Sequence, residues 1–154
     1  MKIPENIFIN VFFSLFMFIM ILFHYLDLLI TNVDYIFASS AIIISLLLIF
    51  VKNNTIIDIV HFLYCCVYLY SVALFSNNKY LILLNIIMIV NIIFSRYYYN
   101  CCILDNKQKH EGFFYNIDGY LKSLIPHWNW DYLLLLTILV SLINFSNVYK
   151  IKII

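Results

Sequence analysis

Five apolar runs, at 7–30, 35–51, 55–75, 80–99 and 132–149, are each long enough to cross the hydrocarbon core of a bilayer, which at about 30 Å takes about 20 helical residues of about 1.5 Å rise. Nothing else in the chain constrains its folding as strongly. None of the runs alternates with period two, and backbone polar groups in lipid have to be satisfied within the segment, so the spans are predicted to be helices rather than barrel strands. Short polar turns, Thr31-Asn32-Val33-Asp34, Lys52-Asn53-Asn54 and Ser76-Asn77-Asn78-Lys79, separate the first four runs and make neighbouring spans antiparallel. The expectation is an all-α integral membrane protein, a five-helix transmembrane bundle forming a single domain over 1–154. Lys2 precedes the first run but no small-x-small cleavage site follows it, so the run is read as a retained signal anchor.

Composition removes the competing classes. Hydrophobic residues make up 65% of the chain and charged residues 11%, against about 25% charged in a soluble domain. A net charge of +1 provides no field to hold nucleic acid by counterion release. Ile occurs 28 times and Asn 15 times, against 3 Ala and one Arg. This bias is expected of an AT-rich genome, so individual Ile, Phe and Asn residues are given little weight.

The fourth connection, 100–131, is the long one. In it Phe113, Phe114, Ile117, Leu121, Leu124 and Ile125 recur at three- and four-residue spacing while Asn116, Asp118, Lys122 and Ser123 fall elsewhere. This predicts an amphipathic helix over 113–125, lying in the membrane interface before the last span. Pro126 ends it, and His127-Trp128-Asn129-Trp130-Asp131-Tyr132 reads as an aromatic belt. The interfacial side chains are thus Phe113, Phe114, Ile117, Leu121, Trp128 and Trp130. Lys2, Lys52, Arg96, Lys107, Lys109 and Lys122 fall on one side, and Lys79, Lys150 and Lys152 on the other. This asymmetry predicts an amino terminus on the cytoplasmic or equivalent inner side and a carboxyl terminus opposite.

Ionisable residues inside spans are functional candidates by default. His24 with Asp27, and Asp58 with His61, each have i, i+3 spacing. Their mirrored order suggests a four-ligand metal site, but His24 and His61 would lie about 16 Å apart along the membrane normal, against metal–nitrogen bonds of about 2 Å. His24 and Asp27 are accordingly read as an interfacial pair, with proton or metal handling as the rival. Asp58 and His61 continue into a stripe through Cys65, Tyr68 and Val72. Arg96, on nearly the same face of the fourth span as Asn85, falls at the same depth as Asp58 and is predicted to pair with it.

The small residues Ala38, Ala41 and Ser45 form a stripe for close helix approach, either within the chain or between copies. Cys65-Cys66 and Cys101-Cys102 match no zinc or redox spacing, and acylation of the second pair is a minor reading. No span contains Gly or Pro, which weighs against the broken helices of transporters and filters. No phosphate loop, hydrolase elbow or dinucleotide fingerprint is present.

The function expected is that of a structural, assembly or interaction component of a membrane, without cofactor. Its partners would be membrane lipids and other membrane proteins or copies of itself. The alternative is a lipid-modifying enzyme with an inner-face Asp58/His61/Arg96 site, joined by His110 and Cys102. A third reading is a proton or metal transporter using both His/Asp pairs.

Overall fold

In a computed structural model, the structure describes residues 5–99, 113–125, 127 and 129–149. The elements are α1 (Glu5–Tyr25), α2 (Asn32–Phe50), α3 (Asn54–Leu63), a π-helical stretch (Tyr64–Tyr70), α4 (Ser71–Phe75), α5 (Lys79–Tyr99), α6 (Phe113–Leu124) and α7 (Trp130–Tyr149). Five helices are long and apolar enough to cross a membrane: Ile7–Tyr25, Asn32–Phe50, Thr55–Phe75, Lys79–Tyr99 and Trp130–Val148. The third of these is α3, the π stretch and α4 in continuation. The chain is therefore an all-α, membrane-spanning bundle. For reference, the near end is where α1, α3 and α7 begin and α2 and α5 finish; the far end is the opposite one.

Two helix boundaries differ by three residues or more from those read in the sequence, both for reasons of capping. The first helix stops at Tyr25 rather than at residue 30, because Asp27 adopts a left-handed φ of 52°. Leu28 N donates to Phe23 O at 3.0 Å and Asp27 N to His24 O at 3.3 Å, the two bonds of a Schellman stop. The second helix starts at Asn32 rather than at 35. Thr31 is its N-cap and accepts from Asp34 N, while the Asp34 carboxylate accepts from Thr31 N. This capping box turns what reads as a loop into the first turn of the helix.

The core is aromatic at its centre. Phe13 and Phe16 of α1 meet Tyr64 edge-on at 5.5 and 6.2 Å, and Phe16 meets Tyr68 at 5.0 Å. Tyr64 and Tyr68 stack on each other at 6.0 Å. The antiparallel order is fixed at both ends, since Phe8 touches Tyr99 near one end and Phe23 touches Tyr80 near the other. Helix α2 packs most extensively on α1, and α7 on α5.

Burial is unequal among the spans. Half of the third span is buried within the bundle, against 17% of the first and 22% of the last. The third span is thus the one most covered by protein, whereas α1 and α7 turn most of their surface outward. On α7 the outward residues are Leu135, Leu136, Leu139, Leu142 and Ile143, and the inward ones include Thr137 and Ser141. That is the inverse of a soluble helix, as lipid solvation requires. Helix α6 packs against α3, with Ile117 and Leu121 half-buried and Tyr120 and Leu124 exposed.

Candidate functional site

The polar residues of the third span converge inward as a row. Asp58, His61, Cys65, Tyr68 and Val72 are all buried, so the stripe read at helical spacing is the face that the third span turns to its neighbours. Asp58 and His61 lie in the first two turns of α3, toward the near end. Arg96 does not join them in the ion pairs of the described residues. Its Nε lies 2.8 Å from Asp131 Oδ1, at the start of α7, and both side chains are partly exposed. The expected Asp58–Arg96 pair is therefore replaced by one linking the end of α5 to the beginning of α7. Antiparallel packing of consecutive spans brings these two ends together, and the long connection between them in sequence obscures it.

At the far end, His24 and Asp27 are both exposed. Asp27 is outside the helix, so the two do not share a helical face. The His24 ring instead meets Tyr35 edge-on at 5.4 Å. Among the described residues no group of three or more His, Cys, Asp or Glu side chains is placed to hold a metal ion. Ala38, Ala41 and Ser45 are buried within the chain, where close packing of α2 on its neighbours uses them. Trp130 is half-buried at the start of α7. The side chains of Phe113 and Phe114, and residues Cys101, Cys102, His110 and Trp128, lie outside the described residues.

The π stretch organises the centre of the bundle. In π geometry the backbone bonds run from i to i+5, and three carbonyls in or beside this stretch are taken by side chains. Ser71 Oγ donates to Cys66 O at 2.7 Å. Asn85 Nδ2, from α5, donates to Leu69 O at 3.0 Å and to Ser141 Oγ of α7 at 3.4 Å. Asn144 Nδ2, from α7, donates to Ala73 O. Two asparagines from two helices thus bind the backbone of a third, and in doing so hold three spans in register. Asn85 was visible in the sequence as an intramembrane polar residue, but its partner is a main-chain oxygen that no side-chain pattern encodes.

A second polar centre lies at the far end, where the sequence alone shows only two polar turns. Asp34 Oδ2 accepts from Ile30 N at 3.0 Å, Thr31 N at 3.0 Å and Asn78 Nδ2 at 3.2 Å. Asn78 Nδ2 also donates to Leu28 O at 2.8 Å, while its Oδ1 accepts from Tyr80 N at 3.0 Å at the start of α5. Asp34 and Asn78 are each 2% exposed. The signals that would have found this clasp are a Thr-x-x-Asp capping box and an Asn immediately before a helix.

Chemically, the asparagines and Asp34 of both centres make most of their hydrogen bonds with backbone groups. Asn85 and Asn144 satisfy carbonyls, and Asp34 and Asn78 satisfy amides at helix starts. No family model, no curated protein and no solved structure matches the chain.

Proposed function

We propose that the chain works as an integral component of a membrane, acting by contact with lipid and with other membrane proteins or copies of itself, and not by turnover. One observation carries the reading: where their partners are seen, the polar groups inside the spans hold helices together. Asn85 and Asn144 bridge α5 and α7 to the third span, and Arg96, one of the residues that a near-end catalytic cluster would need, is engaged by Asp131. The outward faces of α1 and α7 are available to lipid and to neighbours. The orientation we read is the near end on the inner side and the carboxyl terminus opposite, supported by six Lys and Arg residues in the segments assigned to the inner side against three in those assigned to the other.

Mass spectrometry of the protein extracted in native membrane patches tests the first part. Retained lipid together with a second copy or a partner chain is the expected result. Conversion of a membrane lipid that His61→Ala abolishes would overturn it. Protease accessibility of a tag at each terminus tests the second part, and two tags on one face would reject the orientation.

A further inference from the structure

We propose that the bundle interior beside the π stretch binds internal water, held by the hydroxyls of Tyr64 and Tyr68 and by Asn85 Oδ1. This goes beyond the contact function above and stands independently of it.

The hydroxyls of Tyr64 and Tyr68 are fully shielded and take no hydrogen bond from the chain. A phenol is amphipathic, and a buried one ordinarily finds a partner for its O–H. The two rings are held firmly. They stack at 6.0 Å with planes 10° apart, and Phe13 and Phe16 press edge-on against them. Rotating either ring to reach a protein acceptor would disrupt this packing, so the missing partner has to come to the hydroxyls.

Asn85 presents the complementary need. Its NH2 group is committed to Leu69 O and Ser141 Oγ, which leaves Oδ1 buried with no donor. Leu69 follows Tyr68 directly, so this amide sits at the same turn of the third span. Two groups able to donate and one able only to accept therefore lie along one short stretch, and Ser45 Oγ on α2, which also packs on that stretch, is buried without a partner too.

The ligand class follows from these demands. It must donate to an amide oxygen and accept from phenols. It must also be neutral, since the π stretch, Tyr64–Tyr70, has no Asp, Glu, Lys or Arg. Water meets all three conditions, and buried water commonly makes about three hydrogen bonds to groups that are otherwise unsatisfied. The same buried face of the third span continues toward the near end through His61 and Asp58, about one and two turns from Tyr64.

The test uses the full chain in lipid bilayers, with tyrosine ring carbons labelled beside the oxygen. Water-edited solid-state NMR then asks whether magnetisation passes from water to Tyr64 and Tyr68, whose signals are identified by their loss in Tyr64→Phe and Tyr68→Phe. Transfer to either buried tyrosine is the expected result. Transfer confined to exposed tyrosines such as Tyr25 and Tyr97 would overturn the proposal. The thermal midpoints of the same variants give an independent sign. A water-bound hydroxyl loses a bond when removed, so each variant should unfold a few degrees below the parent. A dry, orphaned hydroxyl is a liability, so its removal would raise the midpoint and refute the site.

Discussion

The two ends of the bundle each join a carboxylate to a nitrogen donor from another part of the chain, and they are not equivalent. At the far end Asp34 is 2% exposed and one of its oxygens receives three N–H donors, from Ile30, Thr31 and Asn78. At the near end Asp131 meets Arg96 with side chains 49% and 28% exposed. Formal charge would rank the near-end pair higher, because it joins two full charges. Burial reverses the order. An exposed ion pair exchanges hydration for contact at little net gain, whereas removing a buried acceptor strands every donor aimed at it. Holding the loops of this protein in place is thus the task of the clasp with fewer charges.

The largest effect follows from breaking the far-end clasp. Asp34→Ala leaves Ile30 N, Thr31 N and Asn78 Nδ2 without their acceptor and removes the capping box of α2. The expected loss is about 3 kcal/mol or more, read by unfolding in detergent. A loss under about 1 kcal/mol would show that water replaces the carboxylate, and that the end is wetter than its burial implies. Asn78→Ala should approach the same value, since that one side chain caps α5 and reaches both Leu28 and Asp34.

The centre should rank next. Asn85→Leu frees Leu69 O in the middle of the bundle, at an expected cost of about 1 kcal/mol, because interhelical hydrogen bonds in membrane proteins average about 0.6 and reach about 1.7 kcal/mol. Asn144→Leu, tested by the same unfolding measurement, should behave similarly. If both were silent, the π stretch would be relaxing to ordinary α geometry once its side-chain partners are removed.

The near-end pair is expected to contribute about 0–1 kcal/mol, reduced further by salt. A double-mutant cycle on Arg96→Gln and Asp131→Asn should show a small coupling that fades as ionic strength rises. The cycle on Asp58→Asn and Arg96→Gln should be close to additive, since the guanidinium is committed to Asp131. Strong coupling in that second cycle would restore the pairing that depth matching suggests and would overturn the assignment of Arg96 to Asp131.

These contrasts also show what a sequence of this kind discloses. The five spans were legible because run length against bilayer thickness is a coarse and robust measure, and the inward row Asp58, His61, Cys65, Tyr68 and Val72 was legible because helical periodicity survives the π stretch well enough to keep these side chains on one side. Three things were not. The start of α2 was hidden because Thr31 and Asp34 look like turn residues until their reciprocal bonds are considered. The partner of Arg96 was hidden because depth alone matches it equally well to Asp58 and to the start of the last span. The π stretch was hidden because Tyr64-Cys65-Cys66-Val67-Tyr68-Leu69-Tyr70 has no Gly, Pro or other residue that marks a departure from α geometry. Two of its carbonyls are met by side chains outside it, Leu69 O by Asn85 of α5 and Cys66 O by Ser71 at the next position, and neither pairing leaves a mark in the residues of the stretch.

The smallest effect concerns the far end again, one loop away from the clasp. Asp27 occupies the left-handed position of the stop that ends α1, with φ at 52°. Asp tolerates that region better than most residues, but Gly occupies it without steric cost. Asp27→Gly should therefore relieve local strain, while the greater freedom of Gly in the unfolded chain removes part of the benefit. The net gain should be a few tenths of a kcal/mol, close to the resolution of a thermal midpoint. Asp27→Val sharpens the test by acting in the opposite sense, since a β-branched side chain is a poor fit at positive φ and would force the stop open. A functional carboxylate paired with His24 would give another pattern. Gly and Val would then be equally damaging to whatever the pair does, regardless of which one the backbone accepts. The ordering Gly above Asp above Val, read as unfolding midpoints, is the signature of a residue retained for its backbone conformation. It would also separate the exposed Asp27, whose side chain the fold can do without, from the buried Asp34 seven residues later, on which the same loop depends.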